Sequence, residues 1–240
     1  MLSDFSLTSL DEKIPKGMKP ANRRWLLSEH SGKIIELKSW SAANLSQCTS
    51  SMEMIRKLYI PVVLGTVRVG RMSLAVANLL AAELNKRNGI ETDLIDIAKL
   101  PLPTNDAGEA IKNNAFSTKM ERSDALVVVS PEYNHSYPGL LKHVLDSCLK
   151  EYIHKAVGIV GVSAGPFGGA RAIQNLLPVM RELGLVTIFW DVNFSNVHKV
   201  FSTDGELLDQ SYIRRIDKFL RELMWMAKTL RHGREQISLD

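Results

Sequence analysis

The sequence holds two cysteines in 240 residues, Cys48 and Cys148. That is too few for a disulfide framework and too few for a four-ligand zinc cluster. Such usage fits a reducing, intracellular setting. No apolar run reaches the roughly 18 residues that a membrane-spanning helix needs. The first residues lack the charged-then-apolar layout of a secretion signal. The expectation is a cytoplasmic chain with no membrane span. Charge of one sign is scarce as well. The net charge is +4, and residues 1–58, with nine Lys/Arg against six Asp/Glu, carry +3 of it. A nucleic-acid-binding domain concentrates positive charge on its folded part. Nucleic acid is therefore not expected as a partner.

Two further absences concern loops. Leu64–Ser73 reads LGTVRVGRMS, with two glycines at the spacing of an ATPase phosphate loop. No lysine follows Gly70, and no hydroxyl stands beside it for magnesium, so nucleoside triphosphate chemistry is excluded. No GxGxxG follows the first strand, which argues against a tightly held dinucleotide.

What the sequence does have is one sizeable core. Hydrophobic residues make up 45% of the chain, enough for a single large domain. Residues 1–56 show no lasting period, and Ser41–Met54 is polar and Ser-rich. They read as an N-terminal extension, disordered or weakly structured, with Ile34–Leu37 as a stray strand. A regular pattern starts near Leu58 and is expected to run through 57–232, with a tail at 233–240.

Within that region apolar strands alternate with helical segments. LYIPVVLG is a buried strand, and Ser73–Arg87 a helix that Ser73 or a neighbour caps. IETDLIDI alternates as a strand. Ala125–Ser130 and Ala156–Ser163 are wholly apolar strands. Pro138–Leu149 begins a helix with proline in its first turn. Gly169–Leu183 is helical, with a kink expected at Pro178. LVTIFWDVNF is a fifth strand, and Ser211–Leu230 a closing helix. Buried strands joined by helices give a five-stranded parallel sheet with helices on both faces. In such sheets ligands bind beyond the carboxyl ends of the strands, at the switch in strand order.

Three loops stand at those ends. After the first strand, Gly65 allows a tight turn, Thr66 and Ser73 offer hydroxyls, and Arg68 and Arg71 offer charge. The following helix start favours an anion, so the loop suits one terminal phosphate held without metal; a plain strand-to-helix turn is the alternative. After the third strand comes SPEYNHSYPGLLKH, a stiff loop whose main chain can line a flat ring, or whose Tyr133, His135 and Tyr137 merely make a turn. After the fourth comes SAGPFGGARA, whose glycines imply close backbone approach or positive φ, for a ligand or for a plain glycine turn. With strand order 2-1-3-4-5 the three loops converge. A phosphate at one end and a ring at the other describe a mononucleotide.

GTVRVGR, PEYNHSYPGLLKHVLD and SAGPFGGARAIQNLLPVMRELG occur here in one order. Over about Leu58–Arg231 they resemble the NADPH-dependent FMN reductase family. The resemblance implies a flavodoxin-like three-layer α/β sandwich. It implies that Thr66, Arg68 and Ser73, with Arg71 as a further candidate, hold the FMN phosphate. Pro131, Glu132, Tyr133 and Asn134 would contact the isoalloxazine, and Ser163, Gly165 and Gly168 would close its other side. It also implies a hydride donor, NADPH or NADH, and a small-molecule electron acceptor such as a quinone or free flavin. A homodimer or homotetramer is implied, with Pro138–Leu149 and the fourth-strand region as candidates for the contact, although their apolar residues equally suit sheet-packing core, the commoner case. Some relatives carry a hydroxyl where this chain has Arg71, which leaves Arg71 between the FMN phosphate and the incoming NADPH; Arg171 is a second candidate for the 2′-phosphate. The cofactor carries the chemistry, so no catalytic side chain and no metal ligand is assigned. A flavodoxin-type electron carrier and a non-catalytic flavin-binding protein are the alternatives. Carriers are usually strongly acidic, and this region is nearly neutral.

Overall fold

The computed structural model describes residues 56–103 and 113–239, together with three strand segments nearer the N-terminus. The chain divides into two units, Met1–Arg56 and Lys57–Asp240. In the first, β1 (Phe5–Ser6), β2 (Arg24–Ser28) and β3 (Ile34–Leu37) form an antiparallel sheet in that order. The strand expected at Ile34–Leu37 is therefore one of three. Ser41–Met54 lies outside the described residues.

The second unit runs β4 (Leu58–Tyr59), β5 (Val62–Leu64), α1 (Ser73–Asn85), β6 (Ile90–Glu91), β7 (Leu94–Asp96), α2 (Asn114–Arg122), β8 (Ala125–Pro131) and α3 (Gly139–Asp146). It continues with β9 (Lys155–Val162), α4 (Ala170–Glu182), β10 (Leu185–Thr187), β11 (Val192–Phe194), α5 (Val197–Val200) and α6 (Ser211–Gln236). The main sheet has the order β7-β5-β8-β9-β10, with β11 also on β9, and every pairing in it is parallel. In chain order this is 2-1-3-4-5, the flavodoxin-like arrangement, with its switch between β5 and β8.

Alternation along the strands builds two cores. Val62 and Leu64 of β5, with Val127 and Val129 of β8, face α1 and α6. Val63, Leu126 and Val128 face α2, α3 and α4. Because both faces are covered, the strands are buried at nearly every position, which explains their unbroken apolar runs.

Several segments differ from the sequence expectation, among them IETDLIDI, which is two strands, β6 and β7. LYIPVVLG is two strands, because Pro61 has no N–H to give to a ladder: β4 pairs with β6, and β5 pairs with β7. The fifth strand is also split. Thr187 stands opposite Val157 and Val192 opposite Val160, so this chain spends two residues more than its partner between those points. The surplus bulges outward, leaving Phe189 78% and Trp190 38% exposed. Helix α2 has no counterpart among the expected elements. It is largely polar, it is capped by Asn113, whose Oδ1 accepts from the Phe116 amide at 3.0 Å, and it buries only Phe116, Ser117 and Met120. Helix α4 passes through Pro178 without ending. Helix α6 runs to Gln236, past the expected start of the tail. Among the described residues no helix is long and apolar enough to cross a membrane.

Its amino-proximal end is closed by a buried acid. Asp124, just before β8, is fully buried. It accepts from the Tyr59 amide at 3.0 Å and lies 3.3 Å from Arg234 and 4.0 Å from Arg231, both on α6. The last helix is thus tied to the foot of the sheet.

Candidate active site

The three loops meet at the carboxyl edge. β5 ends at Gly65, whose amide still bonds the Val129 carbonyl at 2.8 Å. A side chain there would meet Leu141 at 2.8 Å, so only glycine lets the turn pass under α3. Thr66 follows, 1% exposed, and its hydroxyl lies 2.7 Å from the Tyr133 hydroxyl. Arg68 lays its guanidinium 4.3 Å from the centre of the Tyr133 ring, a cation–π contact that holds the charge at the loop surface. Arg68 has no carboxylate partner among the described residues.

Ser73 is the first residue of α1, not its cap. No side chain caps this helix. Ser73 is 2% exposed and its hydroxyl has no hydrogen-bond partner. A buried unpaired hydroxyl costs about 1–3 kcal/mol, and here it stands at a helix start whose Leu74 and Ala75 amides bond the Arg71 and Met72 carbonyls at 3.2 and 3.1 Å. The unpartnered hydroxyl and the positive end of the helix dipole together suit an anion.

Arg71 points elsewhere. Its Nη2 donates to Asp96 Oδ2 at 2.5 Å, and its Nη1 reaches the Arg68 carbonyl at 3.4 Å. Asp96 ends β7.

The second loop leaves β8 at Pro131. The Glu132 amide bonds the Val162 carbonyl at 3.0 Å. Tyr133 and Ser136 exchange backbone hydrogen bonds at 2.7 and 2.9 Å, closing a two-residue turn. At its tip Asn134 and His135 both have positive φ, 49° and 68°, the pattern of a tight hairpin turn. Helix α4 fastens the turn. Arg171 donates from Nε to Glu132 Oε1 at 2.5 Å and sits 2.9 Å from His135 Nε2. Asn175 donates to the His135 carbonyl at 2.8 Å. The Glu132 side chain is only 6% exposed, and its Oε2 is buried without a partner.

The third loop leaves β9 at Ser163. The Ser163 hydroxyl donates to the Gly165 carbonyl at 2.8 Å, so it shapes its own loop. The Asn196 amide donates to the same carbonyl at 2.9 Å. A side chain at Gly165 would meet nothing within 4 Å. Gly168 differs: its φ is +60°, and a side chain there would strike Asn193 at 2.7 Å. Its carbonyl takes the Asn193 side-chain amide at 3.1 Å. Gly165 therefore presents an open face, while Gly168 packs the loop against β11.

The structure thus joins Thr66, Arg68 and Tyr133 through direct contacts, sets Ser73 at the start of the following helix, and brings Pro131, Glu132 and Asn134 to the same edge. It turns Arg71, Ser163 and Gly168 toward the protein. Asp96, Asn175 and Asn193 were not among the expected ligands, and Arg171, a candidate for the 2′-phosphate, is paired with Glu132. Their partners lie 25 to 40 residues away in sequence, and no local spacing announces them.

Residues 58–199 match the sequence profile of the NADPH-dependent FMN reductases. The chain belongs to that family. Among the reductase's relatives, an NAD(P)H-dependent FMN reductase of Pseudomonas aeruginosa is 30% identical over 151 residues, covering 60% of this chain and 82% of the relative. A potato (Solanum tuberosum) NAD(P)H:quinone oxidoreductase is 29% identical over 187 residues, covering 70% and 91%. Of solved structures, the flavoenzyme NAD(P)H:(acceptor) oxidoreductase of Paracoccus denitrificans superposes with a TM-score of 0.59 at 23% identity, covering 71% of this chain and 98% of that one. The reductase is accordingly an NAD(P)H-dependent oxidoreductase with FMN as its redox group. The residues present fit that group. The orphaned Ser73 hydroxyl and the start of α1 suit its phosphate, and the open space at Gly165 suits its ring.

Proposed function

We propose that this reductase takes a hydride from NADPH or NADH and reduces a quinone, a free flavin or a similar flat acceptor by two electrons, with FMN held across the three loops. The unpartnered Ser73 hydroxyl at the start of α1, on the loop that carries Thr66 and Arg68, carries the placement. These groups would hold the FMN phosphate, with Arg68 steadied by the Tyr133 ring. Pro131, Glu132, Tyr133 and Asn134 would line one side of the isoalloxazine and the Gly165 loop the other. Bound FMN supplies hydride acceptance from the nicotinamide and two-electron delivery to the acceptor. The side chains bind, orient and exclude water. Fastening of the Tyr133 turn by Arg171 and Asn175 keeps that side stiff, which favours a preorganised ring site. Quinone and azo-compound reductases among the relatives support the acceptor class.

The reading extends to a cytoplasmic homodimer or homotetramer. Two cysteines in 240 residues are in keeping with a reducing compartment. Leu140, Leu149 and Ile153 are 43%, 56% and 41% exposed, leaving apolar surface on and just after α3, the helix expected at the contact.

An absorbance spectrum of the purified protein, before and after anaerobic NADPH, tests the reading. Flavin bands should be present, or appear on adding FMN, and should bleach at once. A flavin that NADPH cannot bleach would favour the electron carrier. Failure to take up FMN would remove the reading altogether. Arg68→Ala should weaken FMN binding about tenfold to a hundredfold, the worth of one charge-assisted hydrogen bond. An unchanged dissociation constant in a flavin titration would take Arg68 out of the site.

A further inference from the structure

Resting on the FMN reading of the site, we propose that Arg71 is a positioning residue. It latches the phosphate loop to the end of β7 through Asp96, and grips neither the FMN phosphate nor NADPH.

The geometry of the pair carries this. Side chains of Arg71 and Asp96 are only 16% and 8% exposed, so the pair is shielded from solvent and from salt. Both carboxylate oxygens are committed: Oδ2 takes Arg71 Nη2 at 2.5 Å, and Oδ1 takes the Ala98 amide at 3.1 Å. Asp96 is thus oriented by its own chain before Arg71 arrives. On the arginine, Nη1 turns back to the Arg68 carbonyl at 3.4 Å. A guanidinium grips a phosphate through a fork of parallel N–H donors. Here each terminal nitrogen has one N–H engaged, and a buried carboxylate offsets the charge. Only Nε remains without a partner.

The loop needs such a tether. It leaves the sheet at Gly65, and Val67, Arg68, Val69 and Gly70 are all exposed, Val69 to 96%. Gly70 turns with φ +69°, and α1 starts three residues later. Arg71 is the point where this projecting loop is pinned back to the body of the sheet. By holding the Arg68 carbonyl it also sets where the Arg68 guanidinium emerges over Tyr133. One cation is left for the anion and one is used as structure.

The test is a double-mutant cycle with Arg71→Ala and Asp96→Asn. Asparagine is nearly isosteric and its Oδ1 still accepts from Ala98. Three quantities are needed for each protein: the FMN dissociation constant, the ratio of kcat/KM for NADPH over NADH, and the thermal midpoint without flavin. The latch requires each single variant to weaken FMN about tenfold, and the double variant to be no weaker than either single. The NADPH-to-NADH ratio should not move. Arg71→Lys, which keeps the charge, should recover part of the affinity.

Three results would overturn the proposal. If Asp96→Asn leaves FMN affinity unchanged or tightens it while Arg71→Ala weakens it, Arg71 is a direct phosphate ligand freed by losing Asp96. If Arg71→Ala lowers the NADPH-to-NADH ratio alone, Arg71 reads the 2′-phosphate. If thermal midpoints fall and FMN affinity does not, the pair is merely structural. Failure of the wild type to take up FMN would instead sink the underlying reading, and is scored separately.

Discussion

Replacing Gly161 by alanine should strip FMN from the reductase. Gly161 lies in β9, beneath the loop that carries Gly165. An added methyl would sit 2.4 Å from the Gly168 carbonyl oxygen and 3.0 Å from the Gly169 carbonyl. Both obstacles are main chain, so no side-chain rotation relieves them. Gly168 and Gly169 themselves hold φ values of +60° and +77°, which leaves the loop few other ways to lie. The loop must lift off the strand, and Gly165, its open position, moves with it. Overpacking of this kind costs roughly 1–3 kcal/mol of stability. The loss in FMN affinity should exceed a hundredfold, because a ring site displaced by about an ångström loses most of its preorganised contacts.

Two companion variants separate site from scaffold. Gly158→Ala would place a methyl 2.4 Å from the buried Phe219 ring. It should lower the melting temperature while leaving FMN affinity within a few fold, since that clash lies against α6 and away from the loops. Gly165→Ala meets nothing, so the fold should keep its melting temperature while FMN binding suffers. Equal FMN affinity for Gly161→Ala and wild type would show that this loop does not touch the flavin.

Asp124→Ala should be the most damaging single change to stability. It removes a fully buried carboxylate and leaves three groups behind. The Tyr59 amide, in a residue 2% exposed, loses its acceptor. Arg231 and Arg234, with side chains 15% and 21% exposed, lose their shared anion. Breaking a buried ion pair from one side costs about 3–5 kcal/mol. Arg231 has Glu235 at 2.9 Å as a second partner, which places the loss near the lower figure. For a domain of this size that is a fall of roughly 6–12 °C in melting temperature. Asp124→Asn, which keeps an acceptor for Tyr59, should fall by less. A shift under about 2 °C for the alanine variant would show that α6 is held by its apolar face alone.

Much of this architecture was legible from one sequence. The wholly apolar runs at Ala125 and Ala156 are readable because a parallel sheet buries both faces of its strands. The three glycine- or proline-bearing loops are readable because strand ends in such sheets need turn residues. Strand order followed from those elements and the family's motifs. The illegible parts have physical causes. Pro61 splits a ladder whose residues all look like strand. Helix α2 is held by a cap and a few buried side chains, so its apolar period is faint. Ser163 bonds the Gly165 carbonyl and Gly168 packs on β11, contacts that the motif alone does not show. The pairing of Arg71 with Asp96 was not readable, because an ion pair across 25 residues leaves no mark on local spacing.

The interrupted last strand bears on how copies of this protein can associate. An open sheet edge is a template for another chain, and a long flat one invites endless stacking. Here that border is two three-residue strands with Phe189 and Trp190 thrown out between them, and Lys218 lies 3.2 Å from the Trp190 ring. A neighbouring strand could follow it for three residues before losing register. The opposite border, β7, is itself three residues long. Each border of the main sheet thus offers another chain only three-residue stretches to follow, which disfavours edge-to-edge stacking of copies.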